Sequence, residues 1–393
     1  MSKICNTKVI ISLEGRIDSS NAYDIDAMIT KELDGATDKD IVFDASKLDY
    51  ISSAGLRILM KVKKNTQKAV SIEEVSPEIY EILDTTGFTQ LLTVSKRMRR
   101  ISVDGCKIIG SGFYGTVYRL DADTIIKVYS SPESLPMIEN EKRMAKMAFL
   151  KGIPTAISYD IVRVGDSYGS VFELLNAKTF NDLIIEQPDE ADDVIKAYAD
   201  LVKQVHETKM EDGELPSAKR NFLGSLDVIR EYLNDDRYER LKELIGKVDE
   251  EYGVVHGDLQ MKNVMMTDNE PMLIDMDTLS AGNPVFDLAG IHVTYKNFNM
   301  DDPDNSLKFL GISKDMCDHI WDGFIKRYSG IDDEKIIKKI TDKIRLAAAV
   351  RFLYIIAITS HKNGELGKLR IEHTLLDLDE LMDRVDDISI HKI

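Results

Sequence analysis

Cysteine is scarce: Cys5, Cys106 and Cys317 are the only three in 393 residues. Odd in number and far apart, they exclude a disulfide framework and a Cys- or Cys/His-spaced zinc site. All three are expected to be reduced and structural. Long apolar runs are missing too, since the longest, around Leu346–Ile358, is interrupted by Arg351 and falls short of the roughly 18 residues that cross a bilayer. The start, Met1–Lys8, leads into a short apolar stretch with no small-residue cleavage site, so a cytoplasmic protein is expected. Positive charge is also in short supply, with 51 Lys and Arg against 68 Asp and Glu, a net charge of −17. Nucleic acid and anionic membrane are poor partners for such a body, whereas cationic ones are attracted. The imbalance is local, because residues 1–100 hold 15 basic against 15 acidic side chains and the remainder 36 against 53. The basic run Lys96–Arg100 is the exception, and its position reads as a solvated linker.

What is present is the composition of a globular protein. Hydrophobic residues make up 43% and charged residues 30%, and 23 Gly with 9 Pro excludes collagenous and low-complexity classes. The length suits two or three domains. Lys8–Leu13 reads as a strand broken by Glu14–Asp18, and Ser19 and Ser20 precede a helical stretch to about Leu33. Ile41–Phe43 reads as a buried strand ending at Asp44. After a loop, Ile58, Leu59 and Val62 follow at helical spacing from Ser53. A strand near Ala69–Val75 and a helix near Pro77–Thr86, closed by Gly87, complete a small α/β unit.

Gly15-Arg-Ile-Asp18, Ile41-Val-Phe-Asp44 and above all Tyr50-Ile-Ser-Ser-Ala-Gly-Leu-Arg57 make residues 1–95 resemble the STAS domain of bacterial anti-sigma factor antagonists. The resemblance implies a protein-interaction module, with an anti-sigma factor or another regulatory protein as partner. It also implies Ser53 as the phosphorylation position that controls binding, although phosphoregulated members often carry Asp just before that Ser and this chain has Ser52. Plain N-capping by Ser52 or Ser53 is the competing account of the same residues.

From Ile101 the pattern changes. Gly110, Gly112 and Gly115 are spaced as GxGxxG, but Thr116–Leu120, a turn at Asp121–Asp123 and the strand Thr124–Tyr129 follow, so the glycines sit in a β-hairpin and not before a helix. Such a hairpin can lay backbone N–H groups over phosphates. Lys127, set between aliphatics, has the strand context of a kinase phosphate-gripping lysine. Glu141, or its rival Glu139, on a helix over Met137–Leu150 can orient it.

Two short apolar stretches bracket a polar loop in Val254–Met266, and Met272–Asp277 follows. Asp258 and Asn263 have the spacing of a kinase catalytic loop, and Asp275 matches the metal-binding Asp. His256-Gly-Asp258, Ile274-Asp-Met-Asp277 and Gly282-Asn-Pro-Val-Phe-Asp-Leu-Ala289 look like the aminoglycoside phosphotransferase and choline kinase-like family, over about 106–330. That resemblance implies Asp258 as catalytic base, Asn263 and Asp275 as Mg²⁺ ligands, and Asp287 as a brace for the catalytic loop. It also implies an adenine contact from backbone near Glu173 and Leu175, and structural roles for His206 and His256. Gln260 departs from the family in replacing a basic residue two places after the catalytic Asp. The rest of the chain reads as helix-rich, with Arg345–Ile358 a buried helix.

The fold expected is an α/β STAS domain followed by an α+β bilobal protein-kinase-like phosphotransferase domain. Its parts are residues 1–95 for the STAS domain, 96–105 for a linker, 106–175 for the N-lobe and 176–393 for the C-lobe. The function expected is ATP- and Mg²⁺-dependent transfer of the γ-phosphate to a hydroxyl on a small molecule or protein, with a cationic acceptor favoured by the acidic body. The alternative is a non-catalytic nucleotide-sensing regulator with a pseudokinase half.

Overall fold

The computed structural model describes residues 3–4, 8–34, 38–112, 115–175, 177–211, 213–250, 253–267 and 270–391. Cys5 lies outside them, whereas Cys106 and Cys317 are free thiols, the second buried. No helix among the described residues is long and apolar enough to cross a membrane. The chain forms two compact units, Met1–Ser102 with Val162–Asp166, and Val103–Ile161 with Ser167–Ile393.

In the first unit the strands are β1 (Lys3–Ile4), β2 (Lys8–Ile17), β3 (Asp40–Ile51), β4 (Val70–Val75) and β5 (Thr93–Lys96). They form one sheet in that order, parallel from β2 onward. Helices α1 (Ala22–Leu33), α2 (Ser53–Lys64), α3 (Pro77–Thr85) and α4 (Phe88–Leu91) make the connections. Parallel neighbours need such crossovers. Val9, Ile11, Phe43 and Ile72 of the strands pack with Leu59, Ile79 and Leu83 of the helices in a core of its own.

The breaks expected at Glu14–Asp18 and after Asp44 do not occur. β2 and β3 each continue and pair as far as Ile17↔Ile51, absorbing register shifts between Ser12 and Glu14 and between Gly15 and Arg16. A bulge disturbs the alternation of buried and exposed residues without ending a strand, which is why the sequence looked broken.

Of the strands β6 (Lys107–Ser111), β7 (Gly115–Arg119), β8 (Thr124–Tyr129), β9 (Asp160–Val164) and β10 (Ser167–Glu173), all but most of β9 belong to the second unit, where β6-β7-β8-β10 are neighbours in that order. Helix α5 (Leu135–Leu150) lies between β8 and β9 in sequence. The remainder is mostly helical around a large apolar core: Ala191–Glu207 packs on Lys314–Ser329, and Val285–His292 packs on Glu334–Ile358. This last helix begins well before the expected Arg345, because Asp333 caps its start by accepting from the Lys335 and Ile336 amides. Short strands Val254–Val255, Val264–Thr267 and Glu270–Leu273 frame the polar loop of the second motif.

Candidate functional site

The antiparallel pair β6–β7 carries Gly110 and Gly115, and Gly112 directly follows β6. Only Gly115 is demanded by the protein's own packing, since a Cβ there would lie 2.2 Å from the Val128 carbonyl oxygen of β8. Gly112 donates to Gly115 O at 2.9 Å, and a Cβ on it would meet open space. Gly110 is only loosely flanked by Val117. Phe113 and Tyr114 lie outside the described residues.

β8 places Lys127 and Tyr129 on one face, and α5 brings Glu141 to both. Lys127 Nζ lies 3.4 Å from Glu141 Oε1 and 2.5 Å from Asp275 Oδ1. Tyr129 donates its buried hydroxyl to Glu141 Oε2 at 2.6 Å. Burial opposes the charge on Lys127, but Glu141 and Asp275 outweigh it and raise its pKa. Glu139 is exposed and plays no part. Asp275 holds a left-handed backbone with φ of 62°, a conformation that costs a non-glycine residue energy. Two residues on, Asp277 has its carboxyl raised to about 6 by burial and by the neighbouring Glu141 and Asp275.

The loop from His256 to Asn263 is tied down along its length. Asp287, fully enclosed, accepts from the His256 amide at 2.7 Å and the Gly257 amide at 2.6 Å. Its Oδ2 also lies 3.1 Å from His206 Nε2, and the other ring nitrogen of His206 meets Tyr328 Oη at 2.8 Å. Burial works against that carboxylate, but His206 and the loop's donors hold its pKa below the usual value. His256 organises the loop from within, with Nε2 3.2 Å from Ile274 O. Gly257 has φ of 90°, and a Cβ on it would come within 2.8 Å of Thr278. Only glycine suits that place. Tyr295 Oη accepts from the Met261 amide at 3.1 Å, and Tyr198 donates to Leu259 O at 2.5 Å. Arg351 donates to Gly257 O from the long helix Glu334–Ile358. Sequence reasoning met Arg351 only as an interruption of an apolar run and Asp277 only as the end of the Ile274–Asp277 motif, and nothing local singled out Tyr198 or Tyr295.

Asn263 donates Nδ2 to Asp258 Oδ2 and to Asp258 O, each at 2.9 Å, which leaves its own Oδ1 to accept or coordinate. With the partly exposed Asp275 carboxylate, this gives two of the oxygen donors that Mg²⁺ takes. The described residues offer no cluster of three or more acidic, His or Cys side chains for a metal, so the remaining oxygens would come from substrate and water. That donor set fits Mg²⁺. At the end of β10, Glu173 pairs with Thr124 and the Leu174 amide donates to Asp123 O at 2.7 Å. The Leu175 amide has no hydrogen-bond partner among the described residues. Asn176 lies outside them.

In the first unit, helix α2 starts at Ser53, but Ser52 is the cap, its Oγ accepting from the Ala54 amide at 3.2 Å. Ser53 is exposed, and its hydroxyl makes no hydrogen bond among the described residues. Capping of α2 therefore falls to Ser52 and not to Ser53.

Comparison with known proteins agrees with this division of the chain. The STAS domain profile matches residues 2–101, and that of the Phosphotransferase enzyme family matches residues 105–308. The protein BtrV of Bordetella bronchiseptica, a candidate anti-sigma factor antagonist, is 32% identical over 90 residues, which are 22% of this chain and 77% of BtrV. Among solved structures, aminoglycoside phosphotransferase APH(2'')-Ib with ADP bound is 14% identical, with a TM-score of 0.45 over 78% of this chain and 96% of that one. A choline/ethanolamine kinase family protein from Mesorhizobium loti is 12% identical, with a TM-score of 0.45 over 71% and 91%. The chain thus belongs to the phosphotransferase enzyme family and carries a STAS domain ahead of its phosphotransferase part.

Proposed function

We propose that the protein transfers the γ-phosphate of ATP, with Mg²⁺, to a hydroxyl of a small molecule or a protein, and that the STAS domain is its interaction module. The observation that carries this reading is the joining of Lys127, Glu141 and Asp275 into one cluster, together with a clamped Asp258. Lys127 would grip the α- and β-phosphates while Glu141 holds its ammonium in place. Glycines 110, 112 and 115 would let the hairpin backbone cover the phosphates, and backbone between Glu173 and Leu175 would meet the adenine. Asn263 and Asp275 would hold Mg²⁺, which when bound offsets the charge building on the phosphate oxygens. Asp258 takes the proton of the attacking hydroxyl as that oxygen bonds the γ-phosphorus and ADP departs. A cationic acceptor suits the acidic body, and Ser53 is the position at which phosphorylation would control a STAS partner.

The division we favour is 1–95, 96–105, 106–175 and 176–393 for STAS domain, linker, N-lobe and C-lobe. The test is incubation of the full chain with γ-labelled ATP and Mg²⁺, alone and with a panel of hydroxyl-bearing metabolites and candidate proteins. Label should move to an acceptor in the wild type and stay on ATP in Asp258→Asn. ATP that is neither bound nor consumed contradicts the reading.

A further inference from the structure

Gln260 stands two residues past Asp258, at the place where the family resemblance leads one to expect a basic side chain. Its Nε2 lies 3.0 Å from Asp258 Oδ2 and 3.2 Å from Oδ1. The Gln260 amide also closes a tight turn onto Asp258 O at 3.0 Å. From the other side Asn263 donates to Oδ2 at 2.9 Å. A carboxylate oxygen accepts about two hydrogen bonds, so Oδ2 is filled by Gln260 and Asn263. Oδ1 accepts from Gln260 alone and keeps one lone pair open. Free of such donors, the terminal torsion of an aspartate is broad, and the carboxylate plane would rock and turn its open lone pair away from the hydroxyl. The loop's own cation does not compete for this position, because Lys262 Nζ is engaged with Phe309 O at 2.5 Å and lies over the Phe309 ring.

We propose that Gln260 is a positioning residue: with Asn263 it locks the Asp258 carboxylate so that Oδ1 presents the one open lone pair to the attacking hydroxyl. A neutral amide does this without setting a positive charge beside the base. The proton then passes to Oδ1 while the hydroxyl oxygen bonds the γ-phosphorus and the bridging oxygen leaves on ADP. The assignment rests on the phosphotransfer reading and specifies how its base is aimed.

The experiment measures acceptor-free ATP hydrolysis, with water as nucleophile, by the full chain and by Gln260→Met, Gln260→His, Asp258→Asn and the double variant Asp258→Asn/Gln260→Met. Met keeps the length and bulk of Gln without its N–H groups. Gln260→Met should lower kcat about tenfold through misaiming of the base, with KM for ATP and Tm unchanged. Gln260→His, which restores an N–H donor, should recover most of the loss. In the Asp258→Asn background Gln260→Met should add nothing further, since both act through one carboxylate. Losses that multiply in the double variant would show that Gln260 acts on the phosphate independently and would overturn the assignment. So would wild-type kcat in Gln260→Met alongside impaired Asp258→Asn. If Asp258→Asn itself matches wild type, or the wild type neither binds nor hydrolyses ATP, the phosphotransfer reading fails and takes this assignment with it.

Discussion

Ser53 and Asp258 both lie where phosphate chemistry is expected, yet Ser53 is an exposed hydroxyl with no side-chain partner among the described residues, whereas Asp258 is half-buried and held by Gln260 and Asn263. The neighbours repeat the contrast. Ser52 takes over capping and leaves Ser53 free of structural duty, while around Asp258 even the backbone amides of His256 and Gly257 are assigned to a carboxylate. A group that another protein must reach and modify has to be accessible. A group that does chemistry has to be aimed, and aiming takes partners.

The comparison breaks most easily at Asp258. Asp258→Asn should keep nucleotide binding and lose phosphoryl transfer by roughly 10²–10⁴-fold; single-turnover assays at saturating ATP check this, and comparable turnover would mean another residue is the base. Next is Asp287, whose loss strips two loop amides and His206 of their partner at once. Asp287→Ala should destabilise the second unit by roughly 3 kcal/mol, read from urea midpoints, and a change near zero would show that the brace is dispensable.

A smaller effect concerns pH. Burial pushes the His292 imidazole down from 6.5 to about 3, so between those values the unfolded chain takes up a proton that the folded chain refuses. Stability from this residue is therefore complete above pH 6.5 and falls as pH drops, by about 2 kcal/mol between pH 7 and pH 5 at about 1.4 kcal/mol per unit. Urea unfolding at both pH values should show a shallower decline in His292→Asn than in wild type. The smallest effects sharpen the contrast on the STAS side. Ser52→Ala should cost about 1 kcal/mol as a lost N-cap, and Ser53→Ala should stay within about 0.5 kcal/mol; equal costs would mean that Ser53 too has structural duty.

Much of the second unit's site was legible because its residues come in short, ordered motifs. Lys127 between aliphatics, Asp258 and Asn263 at fixed spacing, and Asp275 after a strand each announce their place locally, and the fold brings Lys127 against Asp275 across 148 positions. Glu141 could be told from Glu139 only in three dimensions, because helix phase relative to β8 decides which carboxylate turns inward. Arg351 was illegible for a related reason: its role depends on where a long helix crosses the Gly257 carbonyl. In the first unit the motif around Ser53 marked the start of α2, but the pairing of β2 with β3 through two register shifts hid both strand ends, since bulges erase the two-residue period on which strand reading depends.

If Lys127, Glu141 and Asp275 form one clamp for MgATP, as proposed above, the most direct measurement is the melting temperature of wild type, Lys127→Met and Asp275→Asn with and without ATP and Mg²⁺. Ligand at 100 times its Kd stabilises a native state by about 2.7 kcal/mol, so the wild type should melt several degrees higher with MgATP. Both variants should lose most of that rise, measured against each variant's own ligand-free melting point. An undiminished rise in both would place the nucleotide elsewhere and contradict the account.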